Sequence, residues 1–192
     1  MRKVKLWIGM SFDGFTSDAN EKVDWLAPHA PSPDGFRIFK ELRRNTDTVL
    51  VGRVNYEGFF QYWPKVQQDP KASADELDIS RWLDEIPKVV FSTTLREVTW
   101  KNSRLARGSA EEEVSALKRA PGGDILIQNS TRLTQSLLAR GLVDEIHVVV
   151  APVAVGQGRA LFANVGKKVD LEIVSTKLFA SGAIAYHLNV KR

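Results

Sequence analysis

Residues 47–60, DTVLVGRVNYEGFF, join a short apolar run to an amphipathic segment with no loop between them, and the switch falls at Gly52 and Arg53. A strand apolar on both faces must be covered on both faces. A chain in which such runs alternate with helices therefore folds as a sheet between helical layers. The junction also has a chemical reading. A residue without a Cβ lets a ligand approach the backbone, the first turn of a helix offers N–H groups to an anion, and Arg53 adds a planar, permanently charged fork suited to phosphate. In isolation, an ordinary strand-to-helix turn with a surface arginine would look the same.

The rest of the chain repeats the alternation. Strands are expected over 4–10, 48–51, 88–92, 124–128 and 145–150, with a further short one at VTW near residue 99. Helices are expected over 34–44, briefly from Arg53, within KASADELDISRWLDEIP, over 111–119 with acids first and Lys118 and Arg119 last, and over TRLTQSLLAR behind Ser130 as N-cap and ahead of Gly141. EIHVVV is too continuously apolar for a one-faced strand and reads as a central one. From 168 to 190 two β segments flank the turn signal Ser181-Gly182. In the second, Ile184, Tyr186, Leu188 and Val190 alternate with Ala185, His187 and Asn189, so one face is expected to be buried. The pattern predicts a three-layer α/β/α fold whose sheet is mostly parallel and ends in an antiparallel hairpin. At 192 residues it suits a single domain over 1–192.

Composition removes several classes. Cysteine is absent, which excludes disulfides, thiol nucleophiles and cysteine-ligated zinc, and fits a cytoplasmic setting. The opening MRKVKLWIGMSFDG carries charge before an apolar run, but the run meets Asp13 and Gly14 without a cleavage pattern and reads as the first strand. No segment reaches the ~20 apolar residues of a membrane helix. The net charge of +4 raises nucleic acid, yet the cations are dispersed among acids. Their densest group, Arg37, Lys40, Arg43 and Arg44, is the solvated face of a helix whose inner face is Phe36, Phe39 and Leu42. A small-molecule ligand is expected instead, and a modest positive field would attract a phosphorylated one.

MSFDGF at 10–15, LVGRVNYE at 50–57, YWP at 62–64, VFSTTL at 90–95, ILIQNSTRL at 125–133, GLVDEIHV at 141–148 and PVAVGQGRALF at 152–162 occur in the order seen in the dihydrofolate-reductase-like superfamily. Within it the chain most resembles the C-terminal reductase domain of the riboflavin-biosynthesis protein RibD and its stand-alone relatives. The deaminase half of that bifunctional protein is missing, since neither its His-x-Glu nor its Pro-Cys-x-x-Cys zinc signature is present. The resemblance implies NADPH as cofactor, a pterin-like, pyrimidine or other small carbonyl or imine substrate, and a homodimer. It places Gly52 and Arg53 at the cofactor phosphates, with Asn55 where a threonine is common, and Ser92 and Thr93 near the adenosine 2′-phosphate. Asn129 and Ser130 stand where a Gly-Gly or Gly-Ser turn contacts the pyrophosphate. Asn is the non-glycine residue that best tolerates a left-handed backbone, so this turn is expected to survive. Gly156 and Gly158, in a loop that borders the cleft in the family, are expected to permit close backbone approach. Gly156-Gln157-Gly158 is not a Rossmann fingerprint, because Leu161 stands where the third glycine belongs.

Two acids are candidates for the chemistry. Asp13 follows the first strand where the family's Ser-x-Asp-Gly motif borders the active site, and Asp34 lies near the first long helix where folate reductases keep their acid. An Asp-Gly turn and a helix cap are the alternatives. His147 and His187 read as packing residues within strands, and their separation shows no metal-binding pattern. Trp25, Phe36, Tyr62 and Trp63 are either core or the walls of a pocket for a flat heterocycle. A cofactor-binding sensor without turnover and a structural dimerisation module stand as alternatives to a reductase.

Overall fold

The structure, a computed structural model, describes residues 1–29 and 32–191. Its strands are β1 (Val4–Ser11), β2 (Phe15–Asp18), β3 (Thr46–Gly52), β4 (Lys88–Phe91), β5 (Ser103–Leu105), β6 (Asp124–Gln128), β7 (Glu145–Ala151), β8 (Gly158–Ala160), β9 (Leu171–Leu178) and β10 (Ile184–Val190). Its α-helices are α1 (Pro33–Arg43), α2 (Arg53–Val66), α3 (Ala74–Glu85), α4 (Ala110–Arg119) and α5 (Thr131–Ala139). The main sheet has the order β5-β4-β3-β6-β1-β7-β10-β9. Pairing is parallel from β5 to β7 and antiparallel at β7–β10 and β10–β9, while β2 and β8 form a separate antiparallel pair.

Alternation along the strands divides two cores. Leu6, Ile8, Leu50, Ile125, Ile127, Ile146 and Val148 belong to one, with Val114 of α4 and Leu133, Leu137 and Leu138 of α5. Val49, Val51, Val90 and Leu126 belong to the other, with Phe39 and Leu42 of α1, Tyr56 of α2, and Ile79 and Leu83 of α3. Because helices cover both faces of β3, β6 and β7, these strands read as continuous apolar runs. The expected α/β/α layers and the closing hairpin are what the chain adopts.

Three local expectations need correction. VTW is not a strand: the backbone N–H groups of Thr99 and Trp100 both donate to the Tyr56 hydroxyl at 3.0 Å, and the strand comes later, as β5. A side chain satisfies donors that a ladder would otherwise take. The helix from Arg53 is long rather than short and continues through Pro64, with the Trp63 carbonyl accepting from Ser80 Oγ of α3 at 2.6 Å. Finally, the face of Ile184, Tyr186, Leu188 and Val190 is only partly covered, since Leu188 alone of the four is buried. Among the described residues no helix is long and apolar enough to cross a membrane.

Candidate cofactor-binding site

In an open parallel sheet, ligands bind beyond the carboxyl ends of the strands. Here the neighbouring strands β4, β3 and β6 end at Ser92-Thr93, Gly52-Arg53 and Asn129-Ser130. Ser130 joins two of these ends. Its Oγ accepts from the Gly52 N–H at 2.9 Å and from Asn55 Nδ2 at 3.3 Å, and donates to the Gln128 carbonyl at 3.0 Å. The structure thus brings together Gly52, Asn55 and Ser130, which lie as much as 78 residues apart in sequence.

The helix N-termini at this end of the sheet differ from the others. Helices α1, α3 and α4 are capped by the side chains of Ser32, Ser73 and Ser109 and carry acids in their first turns. Helices α2 and α5, which start at the ends of β3 and β6, have no side-chain cap and no acid in the first turn. Each instead carries a cation there, Arg53 and Arg132. Uncapped N–H groups and the positive end of the helix dipole, doubled side by side, form a donor set for a polyanion.

Asn129 has φ 55° and Ser130 φ 57°, so the left-handed turn expected here is formed without glycine. Ser130 stands at the N-cap of α5 as expected, but it is left-handed and its side chain makes no capping bond. Its side chain is turned toward Gly52 and Asn55, and those bonds hold a conformation that costs roughly 1–3 kcal/mol in a non-glycine residue. Gln128, immediately before the turn, is 4% exposed and leaves Oε1 without a protein partner. Glutamine at a strand end carries no motif, so nothing in the sequence singles it out.

The remaining candidates fall into different roles. Arg53 is half exposed and pairs with Glu57 at 2.8 Å, so it must exchange that partner to meet a ligand. Ser92 Oγ accepts from the N–H groups of Thr94 and Leu95 at 3.1 and 2.9 Å, which closes the turn after β4, and it also shares a hydrogen bond with Thr94 Oγ1 at 3.4 Å. Thr93 is exposed beside it. Gly156, at φ 81°, has open space where a Cβ would stand. For Gly158 the approach is internal: a Cβ there would lie 2.0 Å from the Ser17 carbonyl oxygen, so this glycine serves the β2–β8 pairing. That pair is tied to the start of α5 by Thr16 Oγ1 to Thr131 Oγ1 at 2.7 Å and by Gln135 Nε2 to the Ala160 carbonyl at 2.8 Å.

Asp13 anchors the same loop. Its carboxylate accepts from Ser11 Oγ at 2.6 Å and from the N–H groups of Val155 and Gly156, the latter at 2.7 Å. These bonds, that of Ser11 foremost, pull its pKa down to about 2. The carboxylate is thus held ionised near neutrality, where it ties the end of β1 to the loop at Val155 and Gly156. Asp34 lies in the first turn of α1 and pairs with Arg37 at 2.8 Å. Among the aromatics, Phe36 and Trp63 pack against the α1–α3 core, while Tyr62 lines a small cavity with Lys65, Val66, Asp69, Lys71, Ala72 and Glu76. No candidate cofactor residue lines that cavity.

The histidines are closer than their separation implied. His187 stands directly opposite His147 in the β7–β10 ladder, and the two rings stack at 4.1 Å with planes 16° apart. Both Nε2 atoms lie near Glu145 Oε2, at 3.2 and 3.3 Å, and Lys3 lies 2.5 Å from Oε1. Lone pairs lie in the ring planes, and an ion shared by two stacked rings would sit out of the plane of both, so the rings would have to rotate to share one. Lysines already neutralise the carboxylate. The cluster is an electrostatic anchor, and it sets a pH dependence. The hydrogen bond from His147, together with that from Lys3, holds Glu145 well below the usual carboxylate range, and burial lowers His187. An unfolded His187 therefore binds a proton more readily than the folded one. Stability should fall as pH drops below ~6.5, and fall again once pH passes below ~4.3, the unfolded values of the two groups. Thermal melts across pH check this: His187→Asn should flatten the upper of the two declines and leave the lower one in place.

Fold and site together define an α/β protein with two adjoining, uncapped helix N-termini at the carboxyl ends of β3 and β6. Residues 2–185 match the RibD C-terminal domain family, and the chain belongs to that family. It is 33% identical over 190 residues to the uncharacterized protein YyaP of Bacillus subtilis (strain 168), across 98% of this chain and 96% of that one. Among solved structures, a putative riboflavin biosynthesis protein from Shewanella sp. PV-4 superposes with a TM-score of 0.75 at 22% identity, over the whole of both chains. A pyrimidine reductase-like protein from Corynebacterium diphtheriae gives 0.67 at 13% identity, over 100% of this chain and 92% of that one. A diaminohydroxyphosphoribosylaminopyrimidine deaminase/5-amino-6-(5-phosphoribosylamino)uracil reductase from Thermotoga maritima gives 0.65 at 14% identity, with this chain spanning 57% of it. The fold is the dihydrofolate-reductase-like one.

Proposed function

We propose that the protein is an NADPH-dependent reductase of a small pyrimidine- or pterin-like carbonyl or imine compound. The observation that carries this reading is the pair of uncapped, acid-free helix N-termini at the ends of β3 and β6, in a chain whose other α-helices are serine-capped and acidic at the same position. That donor set fits a pyrophosphate. NADPH, when bound, supplies the hydride. The chain's own residues bind and orient: N–H groups of the first turns of α2 and α5 face the phosphates, Ser130 fixes the spacing of the two turns, and Asp13 holds the loop at Val155 and Gly156. Arg53, released from Glu57, and the hydroxyls of Ser92 and Thr93 would take the 2′-phosphate, which NADH lacks. Arg53→Ala should lose about 1.5–3 kcal/mol of NADPH binding, roughly ten- to hundredfold in Kd, and narrow the preference over NADH. Titration by tryptophan quenching measures both.

One observation favours a second reading, a cofactor-binding protein without turnover: Asp13 serves as a loop anchor and Asp34 is paired with Arg37. NADPH consumption with a panel of pyrimidine and pterin carbonyl compounds separates the two. Oxidation of NADPH by any member of the panel establishes the reductase, whereas binding with no oxidation across the panel leaves the sensor.

A further inference from the structure

Gln128 closes β6 one residue before the left-handed turn at Asn129 and Ser130. Its backbone is held in place, since its carbonyl accepts from Ser130 Oγ at 3.0 Å, and the residue is 4% exposed. Yet Oε1 is enclosed without a partner, and Nε2 makes no hydrogen bond among the described residues either. A buried carboxamide left unpaired is costly, and native structures keep few such groups without a role.

Alternation along β6 sets where this side chain lies. Ile125 and Ile127 enter the core under α4 and α5, while Leu126 enters the other one, beneath α1 to α3, so Gln128 shares the Leu126 face. Beside it in register is Trp7 of β1, whose ring stacks on Phe39 of α1 at 5.3 Å. Two residues beyond Trp7 on the same face, a Cβ at Gly9 would collide with the Leu26 side chain, so the short 3-10 helix Asp24–Leu26 crosses this end of the strand. Trp25 of that helix also has a buried polar atom without a partner, the donor Nε1. The carboxamide therefore stands at the carboxyl end of the sheet, next to the turn at Asn129 and Ser130 and on the face where Trp7 and Phe39 stack.

A carboxamide carries an acceptor and a donor side by side, so a partner that satisfies both at once is planar and has a donor beside an acceptor. We propose that Gln128 is a specificity-determining residue of this site, reading the edge of a flat heterocycle in which a ring N–H stands next to a carbonyl. This rests on the reductase reading of the cleft and names the part of the substrate that the cleft selects. Oε1 accepts from the ring N–H and Nε2 donates to the ring carbonyl. The pairing is set by the two edges alone, needs no charge, and leaves hydride transfer to the cofactor. The carboxamide of a nicotinamide offers the same donor and acceptor, and the test separates the two sources.

Calorimetric titration of the full chain, with and without NADP+, uses compounds of one shape. Pteridine-2,4-dione has the required edge, 2,4-dimethoxypteridine has no donor, and 2,4-diaminopteridine gives adjacent donors once a ring nitrogen is protonated. The dione should bind, and the dimethoxy compound should not. Gln128→Met, similar in length and without hydrogen bonds, should weaken the dione roughly ten- to hundredfold. Its NADPH affinity should match wild type, with circular dichroism as the folding control. Gln128→Glu should shift the preference toward 2,4-diaminopteridine, because a carboxylate accepts from two donors. A wild type that binds the dimethoxy compound as tightly as the dione, or that binds neither, overturns the proposal. So does a methionine variant that keeps the dione, and so does a loss confined to NADPH, which would assign the carboxamide to the nicotinamide. None of these measurements needs turnover. Dione binding that depends on Gln128 without any NADPH oxidation keeps this inference and fails the reductase, whereas NADPH oxidation with a dione affinity indifferent to residue 128 does the reverse.

Discussion

Gly52→Val is expected to lower NADPH affinity at least a hundredfold while the protein stays folded. The fold does not demand glycine at this position. Its φ is −81°, and a Cβ would meet only Ser130 Oγ and Cβ, at 3.8 and 3.9 Å. What a branched side chain would occupy is the space in front of the first turn of α2, where N–H groups are left without a side-chain cap. Losing two charge-assisted hydrogen bonds to phosphate at about 1.5–3 kcal/mol each removes at least about 3 kcal/mol, and tenfold in Kd corresponds to about 1.4 kcal/mol. Gly52→Ala should fall between wild type and valine. Calorimetric titration of the two variants, with circular dichroism as the folding control, separates a ligand requirement from a folding one. A valine variant that binds like wild type would move the phosphates away from this junction.

The second large effect is on stability. Ser130→Ala removes the acceptor for the Gly52 N–H and for Asn55 Nδ2 and the donor to the Gln128 carbonyl, at a residue that is 4% exposed. Unsatisfied buried groups cost about 1–3 kcal/mol, which for a chain of this size lowers the melting midpoint by roughly 2–4 °C per kcal/mol. Ser130→Gly loses the same bonds but not the left-handed strain. That relief, about 1–2 kcal/mol, exceeds the unfolded-state entropy glycine adds, about 0.4–1 kcal/mol. Glycine should therefore melt above alanine. The opposite order would mean that the φ of 57° at Ser130 is not what the surrounding bonds hold in place.

The parts of the fold that were legible in the sequence are those where one residue type has one physical consequence. Val49 and Leu50 feed opposite cores, so β3 had to be apolar throughout, and Gly52 followed by Arg53 marked where it becomes a helix. Asn129 could be placed in a left-handed turn because asparagine tolerates it, and it is there at φ 55°. Ser130 could not. Serine signals a cap in a linear reading, and only the arrival of Gly52 from the neighbouring strand gives its hydroxyl another use. The stack of His147 on His187 was hidden for the same reason, since a ladder between distant strands leaves no local spacing. The motif around Asp13 marked the residue but not the partners of its carboxylate, because the N–H groups of Val155 and Gly156 come from 142 and 143 residues away.

Whether the cleft at the ends of β4, β3 and β6 holds NADPH can be measured without a substrate, by isothermal titration of the full chain with NADPH and separately with NADH. One NADPH per chain is predicted, with NADH at least tenfold weaker, because Arg53, Ser92 and Thr93 have no 2′-phosphate to meet in NADH. Absence of heat from either nucleotide at millimolar concentration would contradict a cofactor site at these strand ends.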